Sequence, residues 1–167
     1  SSSAASDVYK RQPAYFAMYA NAHMNKYGTT EEQLAKVAVK NHFYGAKNPK
    51  AMFQKPITLQ EALTSGMIAS PLKRYDCCAN SDGAACLILA SEEKARKITD
   101  TPIWVAGLGL GSGSMTLTNR QLPLTSFSCA VEAAKQAYKM ANVKPKDIDV
   151  AEVHDCFTIT EIINYED

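Results

Sequence analysis

Apolar and polar positions follow two rhythms along this chain, a helical one in the front half and a mixed one behind it. From Ala14 to Tyr27 the residues Phe16, Met18, Tyr19 and Ala22 recur at helical spacing, and Gly28 stops the pattern. Thr30-Glu31-Glu32-Gln33 then reads as a capping box with acids in the first turn of a second helix. Leu34, Val37 and Ala38 give that helix its buried stripe, and Asn48-Pro49 closes the stretch. Thr58 and Glu61 frame a third, short helix with Gly66 just past its end. The rhythm then changes. Ala84 to Ala90 is a continuous apolar run of strand length, and its lack of alternation predicts burial on both faces. Similar runs lie at Ile103–Leu110, after Pro102, and at Ile148–Val153. Between them Ser91-Glu92-Glu93 opens a helix with Lys94, Arg96 and Lys97 toward its end, matching the helix dipole. A polar loop around Ser112 to Asn119 follows. Phe127, Ala130, Val131, Ala134, Tyr138 and Ala141 then mark one face of an amphipathic helix that Asn142 and Pro145 end. The front half therefore reads as helix and loop only, and the back half as strand-helix-strand-helix-strand-helix, an α/β order.

The third strand runs straight into His154-Asp155-Cys156-Phe157 and then into a helix beginning near Thr158. Open α/β sheets place their working groups at such carboxyl ends of strands. If strand geometry carries through the corner, His154 and Cys156 point to the same side, and the new helix end favours a Cys156 thiolate. A thiol and an imidazole together make a proton-transfer or nucleophile site. The plainer reading is a buried cysteine and a satisfied histidine closing a β-α turn.

Composition narrows the partners. Apolar residues make up 46% and charged residues 21%, with a net charge of +1, which argues against a nucleic-acid footprint or a polybasic membrane patch. No apolar stretch approaches the roughly 20 residues that span a bilayer. Cys77, Cys78, Cys86, Cys129 and Cys156 form an odd set without CxxC spacing, against a disulfide framework and against a zinc site, so no metal is expected. Reduced thiols in a cytoplasm are the simplest reading. Asp7-Val8-Tyr9-Lys10-Arg11-Gln12 is what GAT-GTG-TAT-AAG-AGA-CAG encodes and resembles a transposase end used in sequencing-library preparation. Residues 1–12 are therefore set apart as a non-native lead. With Asp167 ending a helix that has barely begun, the chain reads as a fragment of a longer protein.

Three other features carry less chemistry. Gly107-Leu108-Gly109-Leu110-Gly111-Ser112-Gly113 suggests a dinucleotide loop, but Ser112 stands where the fingerprint needs its third glycine, and the next helix begins too late to face a phosphate. Close backbone packing at a strand end is the better reading. Ser81-Asp82-Gly83 reads first as a turn ahead of the buried strand. His23 and His42 lie on predicted helices without a carboxylate or cysteine at metal spacing and read as surface or packing histidines.

The segment from Lys144 to Phe157 resembles the C-terminal-domain signature of thiolases of the sterol-carrier-protein type, including the archaeal acetyl-CoA acetyltransferases. Tyr27 to Ala35, Val39-Lys40-Asn41-His42 and Ser81 to Ala85 fit the same family, so the resemblance runs from about Pro13 to the last residue. It implies a partial thiolase fold, a layered α-β-α architecture with a mostly helical loop domain. Residues 13–75 would be the loop domain, 76–100 the end of the N-terminal domain and 101–167 the start of the C-terminal domain.

It also implies an acyl-CoA C-acyltransferase that joins or cleaves a carbon–carbon bond beside a thioester, with 2 acetyl-CoA giving acetoacetyl-CoA and CoA as the reaction expected. By resemblance Cys156 is the acid/base, His154 part of an oxyanion hole, Phe157 a wall of the acyl pocket, and Asn80 and Ser81 border it. The acyl-accepting cysteine and an activating histidine would lie outside the chain. No held cofactor is implied, coenzyme A being a substrate. The family suggests a homodimer or tetramer, association with 3-hydroxy-3-methylglutaryl-CoA synthase and a small zinc-bearing OB-fold protein, and a cytoplasmic place in lipid metabolism and the mevalonate pathway. The alternative is a non-catalytic thiolase-fold subunit that binds an acyl-CoA or scaffolds a partner enzyme.

Overall fold

Each predicted helix forms, though the first begins at Ser3, well ahead of the expected Ala14. The computed structural model describes residues 3–114, 116–119 and 123–167. Helix α1 (Ser3–Tyr27) runs through residues 3–12 and holds Pro13 in its interior; it stops at Gly28, whose φ of +74° suits a residue without a Cβ. Residues 1 and 2 of the expected lead, and Met115 of the expected polar loop, lie outside the described residues. Helix α2 (Glu31–Gly45) begins at a closed capping box, with the Thr30 amide on Gln33 Oε1 at 2.8 Å and the Gln33 amide on Thr30 Oγ1 at 3.3 Å. Helix α3 (Leu59–Thr64) repeats the device with Thr58 and Glu61 at 2.7 and 3.2 Å.

The front half is not helix and loop only. Met67–Ala69 (β1) and Leu72–Lys73 (β2) pair antiparallel across a turn that contains a cis Ser70–Pro71 bond. Strands of three and two residues are too short to show a period, so the hydrophobic pattern missed them. The fully buried Leu72 fastens this hairpin to α1, whose Asn21 amide donates to the Ser70 carbonyl at 3.0 Å.

Helices α4 (Glu92–Ile98), α5 (Ser128–Ala141) and α6 (Thr158–Glu166) complete the set. Asn142 ends α5 in the left-handed region at φ +54° and gives its amide to the last turn. The three strands expected at 84–90, 103–110 and 148–153 are a different matter. None joins a ladder among the described residues, where the sheet has two strands, β1 and β2. A strand is held by a hydrogen-bonding backbone on its edge, and among the described residues these runs pair with none, Leu110 being bonded instead by the Gln136 side chain. Their side chains face outward, Leu87 at 81%, Ile88 at 88% and Ile103 at 94% exposure. Two of the runs still converge on α4, where Leu87, Leu89, Ile98, Ile103 and Trp104 line a cavity of about 700 Å³.

The glycine run does pack as its sequence suggests. A Cβ on Gly107, Gly109 or Gly111 would lie 2.3, 1.8 or 2.0 Å from the carbonyl oxygens of Ala137, Ala133 and Cys129. Alternate residues of an extended chain advance about 6.6 Å and every fourth helical residue about 6.0 Å, so the steps match along both backbones. The helix stripe in use, Cys129, Ala133, Ala137 and Ala141, takes only Ala141 from the expected face; Phe127, Ala130, Val131, Ala134 and Tyr138 lie beside it and are half-buried.

The buried core joins α1 to α6. Ala17, Tyr19 and Ala20 meet Leu34, Leu72, Phe157, Ile159 and Ile163, with Phe16 stacked on Phe157 at 4.5 Å between ring centroids.

Candidate active site

Two short backbone contacts place the site residues. Cys77 bridges Phe157 in antiparallel sense, and the Cys78 amide donates to the Cys156 carbonyl at 3.1 Å. Chain 77–78 is thereby tied to the corner that leads into α6. Beneath it the buried Asp76 accepts from the Lys73 amide at 2.8 Å and from the Thr158 hydroxyl at 2.8 Å, which fixes the first residue of α6. Burial raises the Asp76 carboxyl pKa against the pull of those two donors.

Cys156 is half-buried just ahead of α6, and its Sγ lies 3.5 Å from Thr160 Oγ1. The helix end does not prevail in the way the sequence suggests. Burial raises this thiol, and the Thr160 hydroxyl and the Phe157 amide only partly offset it. The thiol form is therefore the resting form here. Cys78 is raised too, by burial and then by Asp155, and Cys77 is pushed up to about 12 by burial and the Asp76 charge.

The other expected residues are placed unevenly. His154 is exposed and, among the described residues, makes no hydrogen bond to Cys156 or to any other group. Phe157, expected to wall an acyl pocket, is 3% exposed and turned into the core against Phe16, because the bridge to Cys77 sets it on that side. Asn80 and Ser81 are exposed. Ser81 borders a cavity of about 290 Å³ with Asn41, His42, Phe53, Tyr75, Cys78 and Asp155, while Asn80 lines an adjoining polar hollow with Asp82 that shares Ala79 and Ser81 with it. The first cavity continues into one of about 890 Å³ that shares His42, Phe53, Tyr75 and Cys78 and adds Lys55 and Arg74. Among the described residues no group of three or more His, Cys, Asp and Glu is placed to hold a metal.

The histidines of the helices do structural work. His23 is 1% exposed, with Nδ1 on Thr29 Oγ1 at 2.7 Å and Nε2 on Glu166 Oε2 at 2.8 Å, so it ties α1 to the end of α6. His42 stacks on Phe53 at 5.4 Å and meets Tyr75 edge-on at 5.3 Å, with Nδ1 at the Lys55 carbonyl.

Residue-by-residue reading missed a polar network behind the corner. Asn41 Nδ2 donates to Asp155 and, at 2.8 Å, to Glu161 Oε2, and Lys40 Nζ donates to Glu161 and, at 2.9 Å, to the Tyr165 hydroxyl. Tyr165 gives its own proton to Glu161 at 2.6 Å. Burial alone would raise the Glu161 pKa, and the donors Lys40, Tyr165 and Asn41 outweigh it and hold the carboxyl low. Asp155 has Asn41 as its one side-chain donor among the described residues, and burial keeps its pKa raised. The available signal was the adjacency of Asp155 to Cys156 and the Lys40-Asn41 pair within a segment noted only for its resemblance.

Two family profiles match the sequence of this chain. "Thiolase, N-terminal domain" covers residues 2–93 and "Thiolase C-terminal domain-like" covers residues 111–167. The chain belongs to the thiolase family, and its α/β architecture is a partial thiolase fold. It is 45% identical over 155 residues to the acetyl-CoA acetyltransferase of Methanothermobacter thermautotrophicus, across 93% of this chain and 40% of that protein. To the acetyl-CoA acetyltransferase of Methanocaldococcus jannaschii it is 41% identical over 157 residues, again 93% and 40% of the two chains. To sterol carrier protein 2 of Gallus gallus it is 38% identical over 158 residues, 92% and 29%. A solved Ltp2-ChsH2(DUF35) aldolase matches with a TM-score of 0.85 and 36% identity, over 91% of this chain and 41% of that one. The chain thus spans about 40% or less of the length of these relatives. Among the described residues no helix is long and apolar enough to cross a membrane.

Proposed function

We propose that this chain is part of an acyl-CoA C-acyltransferase that carries out thioester-dependent Claisen condensation or thiolysis, with 2 acetyl-CoA to acetoacetyl-CoA and CoA as the reaction. The observation that carries the reading is Cys156, a thiol held at the start of α6 by the Cys78 amide and Thr160, in a chain 45% identical to an acetyl-CoA acetyltransferase.

The α-proton of a thioester is only weakly acidic, so its removal needs a strong base at short range. A thiol raised by burial is scarce as thiolate but strongly basic once ionised, and in the reverse direction it is ready to return the proton. Cys156 is assigned that acid/base role. His154 is assigned to donate to the thioester oxygen as charge develops on it, its exposed imidazole being free to turn toward a bound substrate. Ser81 and Asn80 border the approach, and Phe157 supports the corner from beneath. Coenzyme A enters as substrate, and no held cofactor is assigned. The reading extends to a homodimer or tetramer working with 3-hydroxy-3-methylglutaryl-CoA synthase and a zinc-bearing OB-fold protein, in cytoplasmic lipid metabolism of the mevalonate type.

The test is Cys156→Ala in protein made from the complete reading frame. Condensation should slow by at least about a hundredfold, within the usual span for loss of an acid/base group, while acylation of the enzyme by acetyl-CoA persists. A near-normal kcat would remove Cys156 from the chemistry. Absence of acylation in the unaltered protein would favour the non-catalytic, scaffolding subunit.

A further inference from the structure

Residue numbers that face each other across an antiparallel pair have a constant sum, so the bridge of Cys77 with Phe157 sets Cys78 directly opposite Cys156. The Cys78 amide bonded to the Cys156 carbonyl at 3.1 Å is the bond that such a pair makes. Opposed residues carry their side chains on one side of the ladder, with Cβ atoms about 4.5–5.5 Å apart, and neighbours along the chain point the other way. Phe157 takes the core side, and Cys77 follows it, packing on the core with its Sγ 3.4 Å from the Lys73 carbonyl. Cys156 also touches the edge of that core, and the register sets it opposite Cys78. Cα atoms of a hydrogen-bonded antiparallel pair lie about 5.5 Å apart, inside the range of about 4.4–6.8 Å that disulfides span. Cys78 is exposed and Cys156 half-buried, so an oxidant in solution can reach the first of them.

We infer that Cys78 and Cys156 are a thiol pair that a peroxide converts to a reversible cross-strand disulfide, closing off Cys156. The Cys78 thiol, raised by burial and by Asp155, first gives its proton to solvent; its sulfur then attacks one peroxide oxygen, an S–O bond forms, the O–O bond breaks, and the departing oxygen is protonated to water. The Cys156 sulfur, giving up its proton, then attacks Cys78 sulfur; the S–S bond forms, the S–O bond breaks, and a second water leaves. Two thiols lose two electrons and two protons, and one peroxide becomes two waters. The register separates the two candidates: Cys77 stands opposite Phe157, and Cys78 stands opposite Cys156. The bond follows from the backbone pairing alone, whereas loss of turnover on oxidation rests on the acid/base role assigned to Cys156.

The experiment treats reduced protein from the complete reading frame with hydrogen peroxide, blocks remaining thiols by alkylation, and maps linked peptides by mass spectrometry before and after dithiothreitol. The link between the 77–78 peptide and the Cys156 peptide should form, disappear on reduction, survive Cys77→Ser and vanish in Cys78→Ser. Oxidation should also cut acetoacetyl-CoA thiolysis at least tenfold relative to each variant's untreated rate, with recovery on reduction, in the unaltered protein and in Cys77→Ser. A Cys156 thiol still fully alkylatable after peroxide, or a link that survives Cys78→Ser and vanishes in Cys77→Ser, would overturn the inference. Because the link is read by mass, failure of the acyltransferase reading would leave the bond in place and show itself only as absent turnover.

Discussion

Asn41 stands between two carboxylates, giving one hydrogen of its side-chain amide to Asp155 and the other to Glu161. The residue beside Cys156 and the buried acid of α6 are thereby held by one group of α2. Without it the two negative charges would face each other, with Lys40 bonded to Glu161 and Tyr165 and not to Asp155.

Asn41→Ala should therefore destabilise the fold by about 1–3 kcal/mol, the range for stranding buried acceptors. Asn41→Asp should be worse at neutral pH and should recover part of its loss as the pH falls and the added carboxyl protonates. Urea unfolding at two pH values checks both, and equal losses for the two variants at each pH would detach Asn41 from the carboxylates.

The glycine contacts allow a paired test. Gly109→Ala drives a methyl to 1.8 Å from the Ala133 carbonyl oxygen, whereas nothing lies within 4 Å of a Cβ on Gly113. Gly109→Ala should cost roughly 1–3 kcal/mol or more as an overpacked contact, and Gly113→Ala should stay within about 0.5 kcal/mol. Thermal melts of the two variants decide it.

Glu161 sets a pH dependence whose sign can be worked out. Its folded pKa is below its unfolded value of about 4.3, so the unfolded state takes up the proton first as the pH falls. Its contribution is whole above that value and is lost as the pH drops through the folded pKa. Asp76 and Asp155, whose pKa values are raised, act in the opposite sense, gaining stability on protonation. Glu161→Gln should thus be less stable than the unaltered protein at neutral pH, with the gap narrowing below about pH 4.3. Denaturant midpoints measured between neutral pH and pH 3 test this, and a gap that widens in acid would reverse the assignment.

His154 offers a clean separation of chemistry from packing, because its side chain is exposed. In the complete enzyme His154→Ala should leave the melting temperature nearly unchanged and raise the barrier by about 3–4 kcal/mol, the usual loss for one oxyanion donor. His154→Asn should keep far more activity, since its amide can donate from a similar reach. Equal kcat/KM for the two variants would end the oxyanion role.

What was legible in the sequence was local. Thr30 with Gln33, Thr58 with Glu61, Gly28 and Asn142 are signals whose partners lie within one turn, and every one of them closes as expected. The runs at 84–90, 103–110 and 148–153 look like strands because composition reports what a segment can pair with, and pairing depends on neighbours that composition does not contain. The site divides in the same way. Cys156 was visible from its place ahead of a helix, but Cys78 opposite it and Asn41 behind it are more than seventy residues distant, and only the folded backbone brings them there. The rise of the Cys156 pKa was hidden for the same reason, since burial is a property of the surroundings and the helix end is a property of the text.

The fit of Gly107, Gly109 and Gly111 against Ala137, Ala133 and Cys129 works like a vernier, two scales whose marks coincide only in one setting. Inserting or deleting one residue upstream of Gly107 could be absorbed by a loop. Doing so inside 107–111 would bring Leu108 or Leu110 onto the helix carbonyls and misalign the remaining marks together. This short stretch should therefore tolerate neither gain nor loss of length, although three of its five residues carry no side chain. Length, rather than side-chain chemistry, is what natural variation should be found to spare there.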